Sequence, residues 1–272
     1  MERMDTVMTD NKITFSVFTK PWKNESINEL GKLIGGFGFD GIEFPLRDGY
    51  QLEPKDAENG LPKLVKQLDE YGLKITSVAS DTSEKVFAGC ANAGIPVIRI
   101  MAGVNLKIGY LASIEQKKRE LDTLIPLCEK YGVKVGIQQH YGPMVSNSME
   151  LKQLIEQYNP KYIAAVWDAA HSALAGEETE QGLDILWSHL CMVNLKNAFY
   201  KLASGPEAEN AKWERYFTLG RKGLSSWNRV FDYLKNKNYS GVICLTAEYS
   251  DEEHVNQYTA SDLTYAKSLL CD

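Results

Sequence analysis

The chain has 272 residues, 44 % of them apolar, with 36 acidic against 30 basic side chains and a net charge of −6. That length is close to the about 250 residues of one (β/α)8 barrel and supplies a large core without disulfide or metal staples. The acidic balance excludes a nucleic-acid backbone as the main ligand, because such sites need a basic stripe, and the longest basic run is only Lys117, Lys118 and Arg119.

Residues 1–11, within "MERMDTVMTDNK", carry acids and no apolar core of the kind a signal peptide has, and read as an N-terminal tail. Eight short apolar runs follow, at 13–18, 41–44, 74–79, 97–101, 134–139, 163–167, 192–195 and 242–247, each expected to be a strand. Helical patterns lie between them, clearest at 61–71, 113–131 and 225–236, and a last helix is expected over 252–270. One grammar recurs. "LDEYGLKITSVAS" and "CEKYGVKVGIQQH" both run helix, Tyr-Gly-x-Lys, strand, and "GGFGFDGIEF" and "NKNYSGVICLTAEY" are variants of it. Gly or Asn stops the helix because it accepts a left-handed backbone past the last turn, and tight helix-to-strand turns repeated in this way build a parallel sheet. Eight such units predict an α/β fold, a single (β/α)8 TIM barrel spanning 1–272. An open doubly wound sheet usually carries a Gly-rich phosphate loop after its first strand, and here that place reads "FTKPWKNES". The longest irregular stretch, 198–223 after the seventh strand, is expected to be a long loop at the ligand end of the barrel.

The five cysteines, Cys90, Cys128, Cys191, Cys244 and Cys271, are scattered and odd in number, which reads as small apolar residues in a reducing compartment. No apolar run approaches the about 18 residues needed to cross a bilayer. The sequence therefore points to a cytoplasmic protein with no membrane or nucleic-acid partner, and a homo-oligomer is compatible with it.

In a barrel of this kind chemistry sits at the C-terminal strand ends. Those ends carry Glu43, Arg99, Gln138, His140, Asp168, His171, Asn194, Lys196, Asn197, Thr246 and Glu248. Apolar strands gain nothing by ending in His, Asp or Lys unless those groups meet solvent or a ligand. Residues two apart share a face, so Gln138 pairs with His140, Asn194 with Lys196, and Thr246 with Glu248. Each position also has a structural reading: Glu43 and Arg99 as an ion pair, the histidines as hydrogen-bonded core residues, Asp168 as a cap. Trp167 and Tyr249 either stack on sugar C–H faces or pack the core.

The order "GIQQHYG … VWDAAHSALAGE … VNLKNA … GVICLTAEYSD" resembles the sugar phosphate isomerase/epimerase family with a xylose-isomerase-like TIM barrel, over nearly the whole chain. The resemblance implies a metal held by a Glu after the fifth strand, an Asp after the sixth, a His after the seventh and a Glu after the eighth. At the corresponding positions this chain has Gln138, Asp168, Asn194 and Thr246. Gln, Asn and Thr oxygens are neutral and bind transition metals poorly, so no tightly bound transition metal is expected, and a weak divalent site is left to Asp168 with Glu248. Sugar or polyol binding is expected from Glu43, Arg99, Gln138, Asp168, His171, Asn194 and Thr246, with catalysis by Glu248 or His140 as the base and Lys196 stabilising the enolate oxygen. The resemblance implies an isomerase or epimerase acting next to a carbonyl of a small sugar or polyol. Two alternatives stay open: a lyase or dehydratase on a keto-sugar or inositol-like substrate, and a carbohydrate-binding member without catalysis.

Overall fold

The computed structural model describes residues 13–271, and the expected tail 1–11 lies outside them. Eight parallel strands close into a barrel: β1 (Thr14–Phe18), β2 (Gly41–Pro45), β3 (Lys74–Ala79), β4 (Val97–Met101), β5 (Lys134–Gln138), β6 (Ile163–Asp168), β7 (Leu190–Leu195) and, last in the chain, β10 (Val242–Leu245), which hydrogen-bonds back to β1. Between them run α1 (Ile27–Phe37), α2 (Ala57–Asp69), α3 (Glu84–Ala93), α4 (Tyr110–Tyr131), α5 (Ser148–Ile155), α6 (Ala169–Leu174), α7 (Thr179–Leu186) and α8 (Trp227–Asn236), and α9 (Val255–Cys271) follows the last strand. The expected barrel is the fold observed.

Local signals explain the elements. Ser26 opens α1 with a reciprocal capping box to Glu29, and Gly38 closes it at φ 89°. Gly72, Gly132 and Asn238 sit at φ 70°, 66° and 53°, the left-handed turns that the repeated helix-to-strand grammar anticipated. Strand alternation sorts the core into two parts. Phe18, Ala79, Val166, Met192 and Cys244 fill the barrel lumen, while a larger cluster including Val17, Ile42, Val135, Trp167 and Ile243 lies between strands and helices. Gly136 is needed on the lumen side: a Cβ there would meet Val166 Cγ2 at 2.9 Å. Polar residues take over the lumen positions toward the C-terminal ends, and this change of character within single strands is what forms the site.

Two boundaries differ from expectation. The last barrel strand ends at Leu245, and Ala247 takes φ 51°, so Thr246 and Glu248 lie on irregular backbone past the strand and strand parity does not relate them. The stretch expected as an irregular loop is largely a hairpin: β8 (Asn197–Leu202) pairs antiparallel with β9 (Trp213–Thr218) beside the barrel. Phe199 stands opposite Tyr216 and Ala198 opposite Phe217, but neither strand alternates polar with apolar residues, so the linear pattern does not show the pair. Asn197 anchors the hairpin. Its Nδ2 donates to the Gly220 and Ser225 carbonyls at 2.7 and 2.8 Å, and its Oδ1 accepts from Ser225 N–H at 3.0 Å. Asn197 is thus a buried brace with no place in the mouth.

Candidate functional site

The C-terminal end of the barrel opens into a mouth of about 740 Å³, lined by Lys20, His140, Tyr141, Lys196, Phe217 and Glu248 among others. A smaller chamber of about 60 Å³ shares Lys20, His140 and Glu248 with it and is walled also by Phe18, Arg47, Arg99, Gln138, Asn194 and Thr246.

A chain of polar side chains crosses the chamber wall from β2 to β6. Arg99 Nε donates to Glu43 Oε1 at 2.7 Å, and its Nη1 donates to Gln138 Oε1 at 2.5 Å. Gln138 Nε2 then donates to Asp168 Oδ2 at 2.7 Å. Asp168 Oδ1 accepts the backbone N–H groups of Ala170 and His171, both at 3.0 Å, and so caps α6. An amide suits position 138 because it accepts from a guanidinium and donates to a carboxylate at once. The structural readings of Glu43, Arg99 and Asp168 are therefore correct as far as they go, yet Arg99, Gln138, Asn194 and Thr246 still face one cavity.

Three imidazole and aromatic rings meet at the mouth. His140 and His171 have ring centroids 4.3 Å apart, and Tyr141 lies 4.5 and 5.3 Å from them. His140 Nδ1 lies 2.9 Å from the Tyr141 carbonyl, which can only accept, so Nδ1 carries the proton and Nε2 is the free base. Burial lowers the His140 pKa, with the hydrogen bond to Tyr141 opposing it, and the ring is neutral at pH 7. His171 is fully buried, its Nε2 lies 3.8 Å from Asp168 Oδ2, and burial pushes its pKa down to about 3. Neither ring nitrogen of His171 has a hydrogen-bond partner among the described residues, and neither amide atom of the fully buried Asn194 has one. Orphaned atoms of this kind call for a water or a ligand.

Glu248 is gripped by two ammonium groups, Lys196 at 2.6 Å and Lys20 at 2.5 Å. Burial raises its pKa, but the two lysines overcome that and hold the carboxyl well below the usual carboxylate range. Lys196 Nζ also sits 4.1 Å from the centre of the Phe217 ring, which the hairpin brings over the mouth.

Most of the sequence-derived set converges on the mouth and chamber, and Asp168 and His171 back it from just behind. Trp167 does not join them. It is fully buried and turned outward to α7, where its Nε1 lies 2.7 Å from the point a Cβ on Gly182 would occupy. Tyr249 edges the mouth, but its hydroxyl is bound to Asp262 at 2.9 Å. Lys20, Arg47, Tyr141 and Phe217 also line the mouth or the chamber, beyond the residues expected from the sequence. Lys20 and Arg47 follow the ends of β1 and β2 and obey the strand-end rule already applied elsewhere. Phe217 carries no such signal, because only hairpin folding brings it there.

The donors do not suit a tightly held transition metal. Of the four positions the resemblance points to, only Asp168 is ionic, and all its oxygens are already engaged. The guanidinium of Arg99 is bonded to Gln138, where a metal ligand would stand. Among the described residues no three His, Cys, Asp or Glu side chains converge as a metal cluster.

Residues 32–269 match the family model described as xylose isomerase-like TIM barrel. The inosose dehydratase of Mesomycoplasma hyopneumoniae (strain 7448) is 23 % identical over 288 residues, spanning 92 % of this chain and 93 % of that one. Among solved structures, the 3-keto-D-glucoside 4-epimerase of E. coli superposes with a TM-score of 0.70 at 14 % identity, covering 94 % of this chain and all (100 %) of that one. A probable 3-DHS dehydratase of Bacillus anthracis superposes with a TM-score of 0.67 at 13 % identity, covering 93 % and 99 %. At these identities the structural likenesses speak for the fold. No helix among the described residues is long and apolar enough to cross a membrane.

Proposed function

The chain belongs to the xylose isomerase-like TIM-barrel family, and from that premise we propose that it acts on a keto-sugar or inosose-like keto-polyol by abstracting the proton next to the carbonyl and then eliminating water. The observation that carries this reading is the pairing, in one mouth, of a neutral imidazole with a free Nε2 and a lysine ammonium. His140 Nε2 takes the α-proton. Lys196 faces the carbonyl oxygen and stabilises the charge that develops there. The β-hydroxyl leaves with the proton that His140 has just received, so the C–H and C–O bonds break, a C=C bond forms, and water departs. Glu248 was the other candidate base. Two lysines hold it ionised and weakly basic, so its part in this reading is to keep Lys196 charged and in place. His171 and Asp168 back the His140 ring from the buried side.

Epimerisation is the second reading, and the likeness to a keto-glucoside epimerase favours it. It requires a second base on the opposite face of the same carbon, and Glu248, held ionised by two lysines, is a weak base for that step. A panel of keto-sugars and inososes, followed by NMR in D2O, separates the readings. Elimination gives a dehydrated product; epimerisation gives deuterium at the inverted carbon without loss of water. His140→Gln and Lys196→Met should each lower the rate by about 10²–10⁴. Full exchange in both variants refutes the assignment, and binding without exchange in the wild type supports a non-catalytic carbohydrate binder instead.

A further inference from the structure

The charges around the chamber do not cancel. Lys20, Arg47, Arg99 and Glu248 line it, with Lys196 paired to Glu248, Glu43 paired to Arg99 and Asp168 bonded to Gln138 around them. Glu43 is matched by Arg99, Glu248 is shared by both lysines, and Asp168 is held by Gln138 and two backbone N–H groups. Arg47 is the cation left over. It is half-buried and, among the described residues, its side chain makes no ion pair or hydrogen bond; it lies 5.7 Å from the Phe18 ring centre, with Arg99 at 4.7 Å from the same ring. Two guanidiniums beside one ring repel each other, and burial together with Arg99 lowers the Arg47 pKa. A half-buried cation next to another is unfavourable unless an anion joins it. Asn194, fully buried with both amide atoms unpartnered, stands in the wall of the same chamber.

We propose that this chamber is an oxyanion subsite and that the substrate is a keto-polyol bearing a carboxylate, received by Arg47 while the reacting carbons lie in the mouth beside His140. The chamber, about 60 Å³ against about 740 Å³ for the mouth, takes one small group and leaves the polyol outside it. The subsite rests on the proposed function for the placement of the reacting carbons, but its existence can be read by binding alone.

Isothermal titration with 2-keto-D-gluconate, neutral D-fructose and D-fructose 6-phosphate tests it, on the wild type, Arg47→Gln and Arg47→Lys. The carboxylated ligand should bind at least about tenfold more tightly than the neutral one, and the preference should shrink with added salt. Arg47→Gln should erase the preference and Arg47→Lys should keep part of it, with thermal unfolding unchanged to show that the fold is intact. Equal affinity for the acid and the neutral sugar overturns the subsite. So does tighter binding of the phosphate ester than of the acid, a preference that survives Arg47→Gln, or no binding of the acid up to tens of millimolar. Arg47-dependent binding of the acid without deuterium exchange would leave the subsite standing and sink the proton-abstraction reading. Exchange on a keto-sugar together with equal affinity for the acid and the neutral sugar would do the reverse.

Discussion

Replacing Arg99 by Met should be among the most damaging single changes in this protein. Its guanidinium is 5 % exposed and lies 2.7 Å from the Glu43 carboxylate, which is completely buried. Removing one partner of a buried pair leaves an uncompensated charge and costs about 3–5 kcal/mol. Gln138 Oε1 also loses its donor at 2.5 Å, which moves the expectation to the upper part of that range. A domain with a total stability of about 5–15 kcal/mol loses a large fraction of it. With a urea slope near 3 kcal/mol/M, the unfolding midpoint should fall by roughly 1–2 M. The double variant Glu43→Gln, Arg99→Met removes the stranded charge and should be more stable than Arg99→Met alone, with a coupling of about 2 kcal/mol or more between the two sites. Equilibrium urea unfolding at pH 7, followed by circular dichroism and tryptophan fluorescence, measures all four corners of the cycle. An Arg99→Met variant within about 1 kcal/mol of wild type, or a double variant less stable than Arg99→Met, would show that the ion pair does not organise the barrel mouth as argued.

His171 should make the fold acid-sensitive. Its folded pKa of about 3 lies below the ordinary 6.5, so its contribution is complete above pH 6.5 and is lost as pH falls toward 3. At pH 4.5 that loss is about 3 kcal/mol, and His171→Phe should flatten the stability curve by that amount between pH 6.5 and 4.5; a wild-type curve and a variant curve of the same slope would contradict it. Gly223→Ala should unseat the hairpin, because a Cβ there would fall 2.0 Å from Asn197 Oδ1 and 2.6 Å from Ala198 N; a loss of about 1–3 kcal/mol and faster proteolytic cleavage within 203–212 are expected, and unchanged cleavage counts against the brace. Purified protein dialysed against a mild chelator should contain well below one equivalent of Zn or Mn. Near-stoichiometric metal lost in Asp168→Asn would overturn the reading of the donor set.

The barrel was legible in the sequence because its signals are local. A helix stopped by glycine or asparagine and followed at once by a short apolar run is read from neighbours in the chain, and eight repeats leave few topologies. The mouth was legible for the same reason: Arg99, Gln138, His140, Asp168, Asn194 and Lys196 interrupt or end apolar strands. What each residue does there was decided by partners far away in sequence. Gln138 looks like a lost metal ligand in the linear string; in the fold it is the connector between Arg99 and Asp168, from β4 and β6. Glu248 looks like a base until Lys20, 228 positions earlier, closes on it together with Lys196. Trp167 and Asp168 are adjacent, and strand alternation sends one into the helix layer and the other to the site. Phe217 reaches the mouth only because β8 and β9 fold over it. Backbone pattern follows from short-range sterics and periodicity, which the sequence by itself determined; pKa, charge balance and cavity shape depend on contacts across the barrel, and only the tertiary structure decided those.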